Sequence, residues 1–260
     1  MRKCIVRKHK SYYQNGKRVS EARQEKYRKL AIPPAYGNVC VSPNPKAKVQ
    51  ATATDAKGTV HYYYSDAHKR KARSVRKNRA RNIRPEKIDR FTEQVLKGGA
   101  MDKEWDGALA LRMINKCYMR SGGVDRPTGN VGALTLRQKH VRLGQKNRVS
   151  FRYPGKSGVD RRCDVRDPVL HRALKKVKRS RRPRLAGGAT RETVSGMIRK
   201  IHRNPAMKIK DIRTAAGMRL FKQHMTGRDR SNKKDVREAL KKTAAVLGHT
   251  PAVCKKFYAL

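Results

Sequence analysis

The sequence predicts an α+β fold, with a small β-rich N-terminal domain followed by a mostly α-helical domain that carries a small antiparallel sheet. Three observations lead there. Residues 48–64 hold two runs rich in β-branched and aromatic residues around a turn. From residue 85 onward the apolar spacing becomes helical. Within that helical part, residues 148–165 return to strand-like alternation on either side of a Pro-Gly turn. The predicted boundaries are 1–75 for the β-rich domain, 76–84 for a basic linker and 85–260 for the helical domain.

Each element has a local reason. Lys48–Thr54 (KVQATAT) and Thr59–Tyr64 (TVHYYY) read as strands, joined by Asp55-Ala56-Lys57-Gly58 as a hairpin turn. A basic run follows, with Lys69, Arg70, Lys71, Arg73, Arg76, Lys77, Arg79, Arg81 and Arg84 in 16 residues without an acid. It is either a solvated linker or helix face, or a phosphate-tracking connector between two DNA-binding lobes. Pro85–Leu96 reads as a helix stopped by Gly98, and Trp105–Arg120 as one bearing Leu109, Met113 and Cys117. Arg148–Tyr153 alternates like a strand, Pro154–Gly158 turns, and a second strand runs to Val165. Asp167 and Pro168 fit the N-cap and first position of a helix whose apolar face is Leu170, Ala173, Leu174 and Val177. Further helices are predicted near 190–202, 209–225 and 233–247, with 183–189 as a flexible connection. Gly248 stops one helix, and Thr250 with Pro251 starts another that leads to Tyr258.

Charge narrows the function. The 260 residues hold 67 Lys+Arg against 19 Asp+Glu, a formal net charge of +48. Such a chain repels itself and needs a polyanion; nucleic acid fits, because each neutralised phosphate releases condensed counterions. Charge alone fits a structural ribosomal or chromatin protein equally. No stretch approaches the roughly 20 apolar residues of a membrane span. The N-terminus, MRKCIVRKHK, lacks an apolar signal-peptide core, so a secreted protein is not expected. The five cysteines (Cys4, Cys40, Cys117, Cys163, Cys254) are odd in number and widely spaced. They read as reduced thiols in a cytoplasmic, nucleoid or virion setting, with no zinc site. Gly155-Lys156-Ser157 is not a nucleotide-binding P-loop, because the required glycine five residues earlier is Ser150.

The segment Gly248-His249-Thr250-Pro251-Ala252-Val253-Cys254-Lys255-Lys256-Phe257-Tyr258 resembles the nucleophile segment of compact type IB DNA topoisomerases of poxviruses and bacteria. Other segments resemble the same family in the same order. Ile32-Pro33-Pro34-Ala35-Tyr36, Val49-Gln50-Ala51-Thr52 and Asp55-Ala56-Lys57-Gly58 resemble its N-terminal domain. Met119-Arg120-Ser121-Gly122, with Gly132-Ala133-Leu134-Thr135-Leu136-Arg137, resembles the segment of its first catalytic arginine. Pro154–Gly158 resembles the hairpin of its catalytic lysine, and Lys210-Asp211-Ile212-Arg213-Thr214 its second-arginine helix.

The resemblance implies a two-lobed clamp around duplex DNA that nicks one strand through a 3′-phosphotyrosyl link and reseals it. It implies Tyr258 as nucleophile, Arg120, Arg213 and His249 as donors to the phosphate oxygens, Lys156 as general acid and Lys210 as its assistant. The chemistry suits these residue types: guanidinium groups match phosphate oxygens bidentately, and a phenol of pKa near 10 is activated by nearby cations. His61, Tyr62 and Tyr64, with Arg70, Arg73, Arg76 and Arg137, are the implied DNA contacts. His61 stands where relatives often have glutamine, and a tyrosine triplet also fits an ordinary strand with one wet face. No cofactor, metal or nucleotide is implied, and a monomer is expected. The chain stops two residues after Tyr258, where the family usually continues. Two alternatives stand beside this one: a tyrosine recombinase or integrase, which usually has histidine where Lys210 stands, and a non-catalytic DNA-packaging protein derived from the fold.

Overall fold

The computed structural model describes residues 4–122, 131–155 and 158–258. The chain divides into two units, Met1–Val75 and Arg76–Leu260. In the first, strands β1 (Ile5–Lys8), β2 (Ser11–Gln14), β3 (Lys17–Arg18), β4 (Gly37–Val41), β5 (Val49–Thr54) and β6 (Val60–Tyr64) form an antiparallel sheet of order β3-β2-β1-β4-β5-β6. Its buried side chains include Ile5, Tyr12, Val41, Ala51 and Ala53. Helix α1 (Glu21–Arg28) is clipped on by buried Gln24, whose side chain accepts from the Tyr12 N–H at 2.9 Å and donates to the Tyr12 carbonyl at 3.1 Å. The β5–β6 turn forms as its residues predict, with Gly58 at φ +76° donating to the Asp55 carbonyl at 3.0 Å. Arg7 on β1 gathers the Ile32–Tyr36 loop, donating to the carbonyls of Ile32 (3.0 Å), Pro33 (3.0 Å), Pro34 (3.2 Å) and Tyr36 (2.6 Å).

The second unit begins within α2 (Asp66–Arg81). It continues with α3 (Pro85–Lys97), α4 (Lys103–Cys117), β7 (Val141–Leu143), β8 (Arg148–Pro154), β9 (Asp160–Arg166), α5 (Pro168–Arg179), α6 (Arg191–His202), α7 (Ile209–His224), α8 (Lys233–Leu247) and α9 (Pro251–Phe257). Helix α4 is the axis: Leu109, Leu111, Met113 and Ile114 are all fully buried, with α3, α5, α6 and α7 packed around it. It is buried on every side, and the polar groups it takes inside are partnered: Arg112 by Asp167 and Asp106 by Arg182. Inside the core, Asp167 caps α5 by accepting from the Leu170 N–H at 2.9 Å and pairs with Arg112 at 2.9 Å. The three-stranded sheet has the order β7-β8-β9. No helix among the described residues is long and apolar enough to cross a membrane.

Four expectations need correction. The helix predicted over Trp105–Arg120 ends at Cys117, because Tyr118 turns into the left-handed region at φ 52°, so Arg120 sits in the following loop. The basic stretch 76–84 is not a solvated linker: it completes α2, buries Ala80 and Ile83, and pairs Arg79 with buried Asp211 at 2.7 Å. Its few apolar residues were outweighed in the sequence by its charge. Residues 183–189 are packed rather than loose, with Leu185 and Ala186 fully buried and the Gly188 N–H on the Asp106 carboxylate at 2.7 Å. That carboxylate lies inside α4, where burial pushes its pKa up and makes partners necessary.

The cysteines, read as reduced thiols, form two disulfides, Cys4–Cys40 and Cys117–Cys163, leaving Cys254 free and buried. Strand pairing brings the first pair near: the β1–β4 register sets Val6 opposite Cys40, and Cys4, just ahead of β1, has its Cα 5.3 Å from that of Cys40. Spacings of 36 and 46 residues gave no hint of either.

Candidate active site

The Arg120 loop is held by the segment that the sequence grouped with it. The Ala133 and Leu134 N–H groups donate to the Arg120 and Ser121 carbonyls, each at 2.9 Å. Gly132 has to be glycine, since a Cβ there would lie 2.6 Å from the Arg120 carbonyl oxygen. Arg213 rises from buried α7 and donates to the carbonyls of Tyr118 and Leu247, tying that loop to the C-terminal end of α8. The α8–α9 turn comes from local chemistry: Gly248 adopts φ 60°, and the Thr250 side chain caps α9 ahead of Pro251. His249 lies in this turn, and Tyr258 follows the last residue of α9.

Tyr258 is anchored, at 8% exposure, among Ala216, Phe221, Leu247 and Cys254. Its ring lies on the backbone of Gly217, where a Cβ would stand 2.6 Å from the ring. The rings of His249 and Tyr258 stack at 5.3 Å between centroids.

A small cleft beside His249 is lined, among the described residues, by Arg120, Val131, Tyr153, Gly155, Arg161, Arg213 and Gly248, none of them acidic. Burial, then repulsion from Arg120 and Arg161, lowers the Arg213 pKa to about 10. Burial, then the charges of Arg213, Arg120 and Arg161, lowers that of His249 to about 4. At neutral pH the imidazole is therefore uncharged and keeps one N–H to donate. The Thr250 backbone approaches the ring and opposes this shift, but neither ring nitrogen makes a full hydrogen bond among the described residues. The cleft thus gathers guanidinium groups that repel one another and donors that await an acceptor.

Of the six expected catalytic residues, Arg120 and Arg213 line this cleft and their charges reach His249. Tyr258 stacks on His249 and interacts electrostatically with Arg213, but it lines a different pocket, with Ala215, Met218, Arg219 and Phe221. Lys156 lies outside the described residues; its neighbour Gly155 lines the cleft, and the Val131 N–H fixes the hairpin through the Pro154 carbonyl at 2.9 Å. Lys210 is on α7 but does not line the cleft. Its pKa is lowered by burial, then by Arg76 and Lys208.

The expected DNA contacts differ in accessibility. His61 is engaged by its own hairpin, 2.8 Å from Asp55 and tilted on the Tyr36 ring. Tyr62 is 57% exposed and stacks on Tyr64, which meets His68. Arg70 and Arg137 are exposed; Arg73 and Arg76 are half-buried.

Sequence reasoning missed Arg161 and Tyr153. They face each other across the β8–β9 ladder, and Arg161 hydrogen-bonds Tyr153. The alternation of β9 was the available signal, but it does not say which face meets the cleft.

Comparison with known proteins places this architecture in a class. Residues 64–259 match the family described as eukaryotic DNA topoisomerase I, catalytic core, and the chain belongs to that family. Residues 10–55 match the bacterial DNA topoisomerase IB N-terminal domain, which marks the type IB branch. DNA topoisomerase 1B of Acanthamoeba polyphaga mimivirus is 27% identical over 274 residues, covering 96% of this chain and 81% of that protein. DNA topoisomerase 1B of Vaccinia virus (strain Copenhagen) is 25% identical over 219 residues, covering 79% and 68%. A solved structure of the XerH site-specific recombinase bound to difH substrate, in a pre-cleavage complex, aligns at TM-score 0.46 and 16% identity, covering 68% of this chain and 50% of that one.

Proposed function

We propose that this type IB topoisomerase relaxes supercoiled duplex DNA with the cleft as the scissile-phosphate site and Tyr258 as the nucleophile. One observation carries the reading: Arg120, Arg161 and Arg213 converge on a cleft with no acid among the described residues, next to His249, on which Tyr258 stacks. Like charges held together in a partly buried place are relieved by an anion. A phosphodiester supplies one, and its non-bridging oxygens gain charge as attack proceeds, when preorganised donors count most.

In the forward step the phenolic oxygen bonds to phosphorus and the bond from phosphorus to the 5′ oxygen breaks. The phenolic proton leaves to water. The 5′ oxygen takes a proton, in our reading from Lys156, with Lys210 assisting the transfer. A 3′-phosphotyrosine and a free 5′-hydroxyl result. Resealing reverses each transfer. One phosphodiester is exchanged for another of similar energy, so the step consumes no ATP, and supercoiling strain drives the net change. Tyr62, Tyr64, Arg70, Arg73, Arg76 and Arg137 are proposed to contact the duplex, with His61 orienting β6 through Asp55.

The test is relaxation of supercoiled plasmid in EDTA without ATP. Relaxed topoisomers from the wild type and none from Tyr258→Phe are expected. A wild-type protein that shifts plasmid mobility without relaxing it would overturn the reading and favour DNA packaging.

A further inference from the structure

Arg161 is fastened at several points. Its stem crosses Gly155, where a Cβ would lie 2.6 Å from the Arg161 Cγ. Its guanidinium rests on Gly248, where a Cβ would lie 1.5 Å from a terminal nitrogen. Glycine at 248 is thus required twice, for its left-handed φ and for room. The same guanidinium donates to the Val246 carbonyl at 3.0 Å and hydrogen-bonds Tyr153 across the hairpin. Val246 and Leu247 present the unpaired carbonyls at the negative end of α8, and Arg161 takes the first as Arg213 takes the second.

We infer that Arg161 is a positioning residue for strand transfer: it locks the β8–β9 hairpin to the α8–α9 turn, so that the hairpin strands and the His249–Tyr258 segment keep one geometry around the phosphate. The inference rests on the proposed function of the cleft. The other bridging residues of the cleft make different joins: Arg213 ties the loop after α4 to the end of α8, and Val131 ties its own segment to the hairpin. Arg161 joins hairpin and turn directly, and only a long, forked side chain spans Tyr153, Gly248 and Val246 together.

The test measures covalent-adduct formation on an end-labelled linear duplex under single turnover, with duplex affinity and His249 titration by NMR measured alongside. Arg161→Ala is expected to slow adduct formation roughly ten- to hundredfold with affinity nearly unchanged, the range for a misplaced reacting group. Arg161→Lys, a point charge without the fork, is expected to recover little of the rate. Arg161→Gln keeps most of the stem and guards against a hairpin that fails to fold. In both Arg161→Ala and Arg161→Gln the His249 midpoint rises from about 4, because one of its three repelling charges is gone. Wild-type rates in folded Arg161→Ala, or an unmoved His249 titration, would overturn the inference. If the wild type itself forms no adduct, the cleft assignment fails, and hydrogen exchange in the β8–β9 strands and the α8–α9 turn of folded Arg161→Gln still decides whether Arg161 holds them together.

Discussion

Replacing Gly217 with alanine tests whether the ring position of Tyr258 matters. A Cβ at 217 would stand 2.6, 2.7 and 2.9 Å from three ring carbons, about 0.8 Å inside the 3.4 Å at which ordinary contact begins. Either the ring or α7 has to give by most of that distance. Alanine is the better helix former by about 1 kcal/mol, which offsets part of the clash, so the fold is expected to survive. A reacting group displaced by about 1 Å typically costs on the order of a hundredfold in rate. Single-turnover adduct formation should therefore fall by one to two orders of magnitude, with a melting temperature within a few degrees of wild type. An unchanged rate in Gly217→Ala would refute the argument, since the observed ring position would then be irrelevant to attack.

Four further outcomes follow from the same structure. Asp167→Ala strands Arg112, itself nearly buried, and removes the α5 cap, so a loss of about 3–5 kcal/mol is expected in denaturant unfolding, with Asp167→Asn retaining the cap and losing less. Arg7→Ala releases the Ile32–Tyr36 carbonyls and should cost about 2 kcal/mol in the stability of the N-terminal unit, read by hydrogen exchange in that loop. The His249 pKa of about 4 lies below its unfolded value, so the unfolded chain binds the extra proton first as pH falls. Stability from this group is full above about pH 6.5 and is lost toward pH 4; His249→Asn should flatten that part of the melting-temperature curve. Thiol titration of the oxidised, denatured chain should find one reactive cysteine, Cys254, and five after reduction.

What the sequence disclosed was local chemistry. The Asp55–Gly58 turn, the Asp167-Pro168 start of α5 and the Gly248 to Pro251 boundary each depend on residues next to one another, and each forms as read. The helical domain with its small sheet was legible for the same reason, and the family resemblance set Arg120, Arg213, His249 and Tyr258 apart. What stayed hidden depends on partners distant in sequence. Strands β1 to β3 are only two to four residues long, and the pairing of β1 with β4, of β2 with β1 and of β3 with β2 is what identifies them. Arg161 is one of many arginines until the β8–β9 register sets it opposite Tyr153. The disulfides are invisible until strand pairing and the packing of α4 against β9 bring the thiols together.

The central claim is that Tyr258 carries the broken strand. Denaturant quenching of wild-type protein on duplex DNA labelled on either side of the nick, followed by proteolysis and sequencing of the DNA-linked peptide, tests it directly. The account predicts a peptide joined through Tyr258 to the 3′ phosphate, with a free 5′-hydroxyl on the other fragment. Attachment through the 5′ end, through another residue, or in Tyr258→Phe would contradict it.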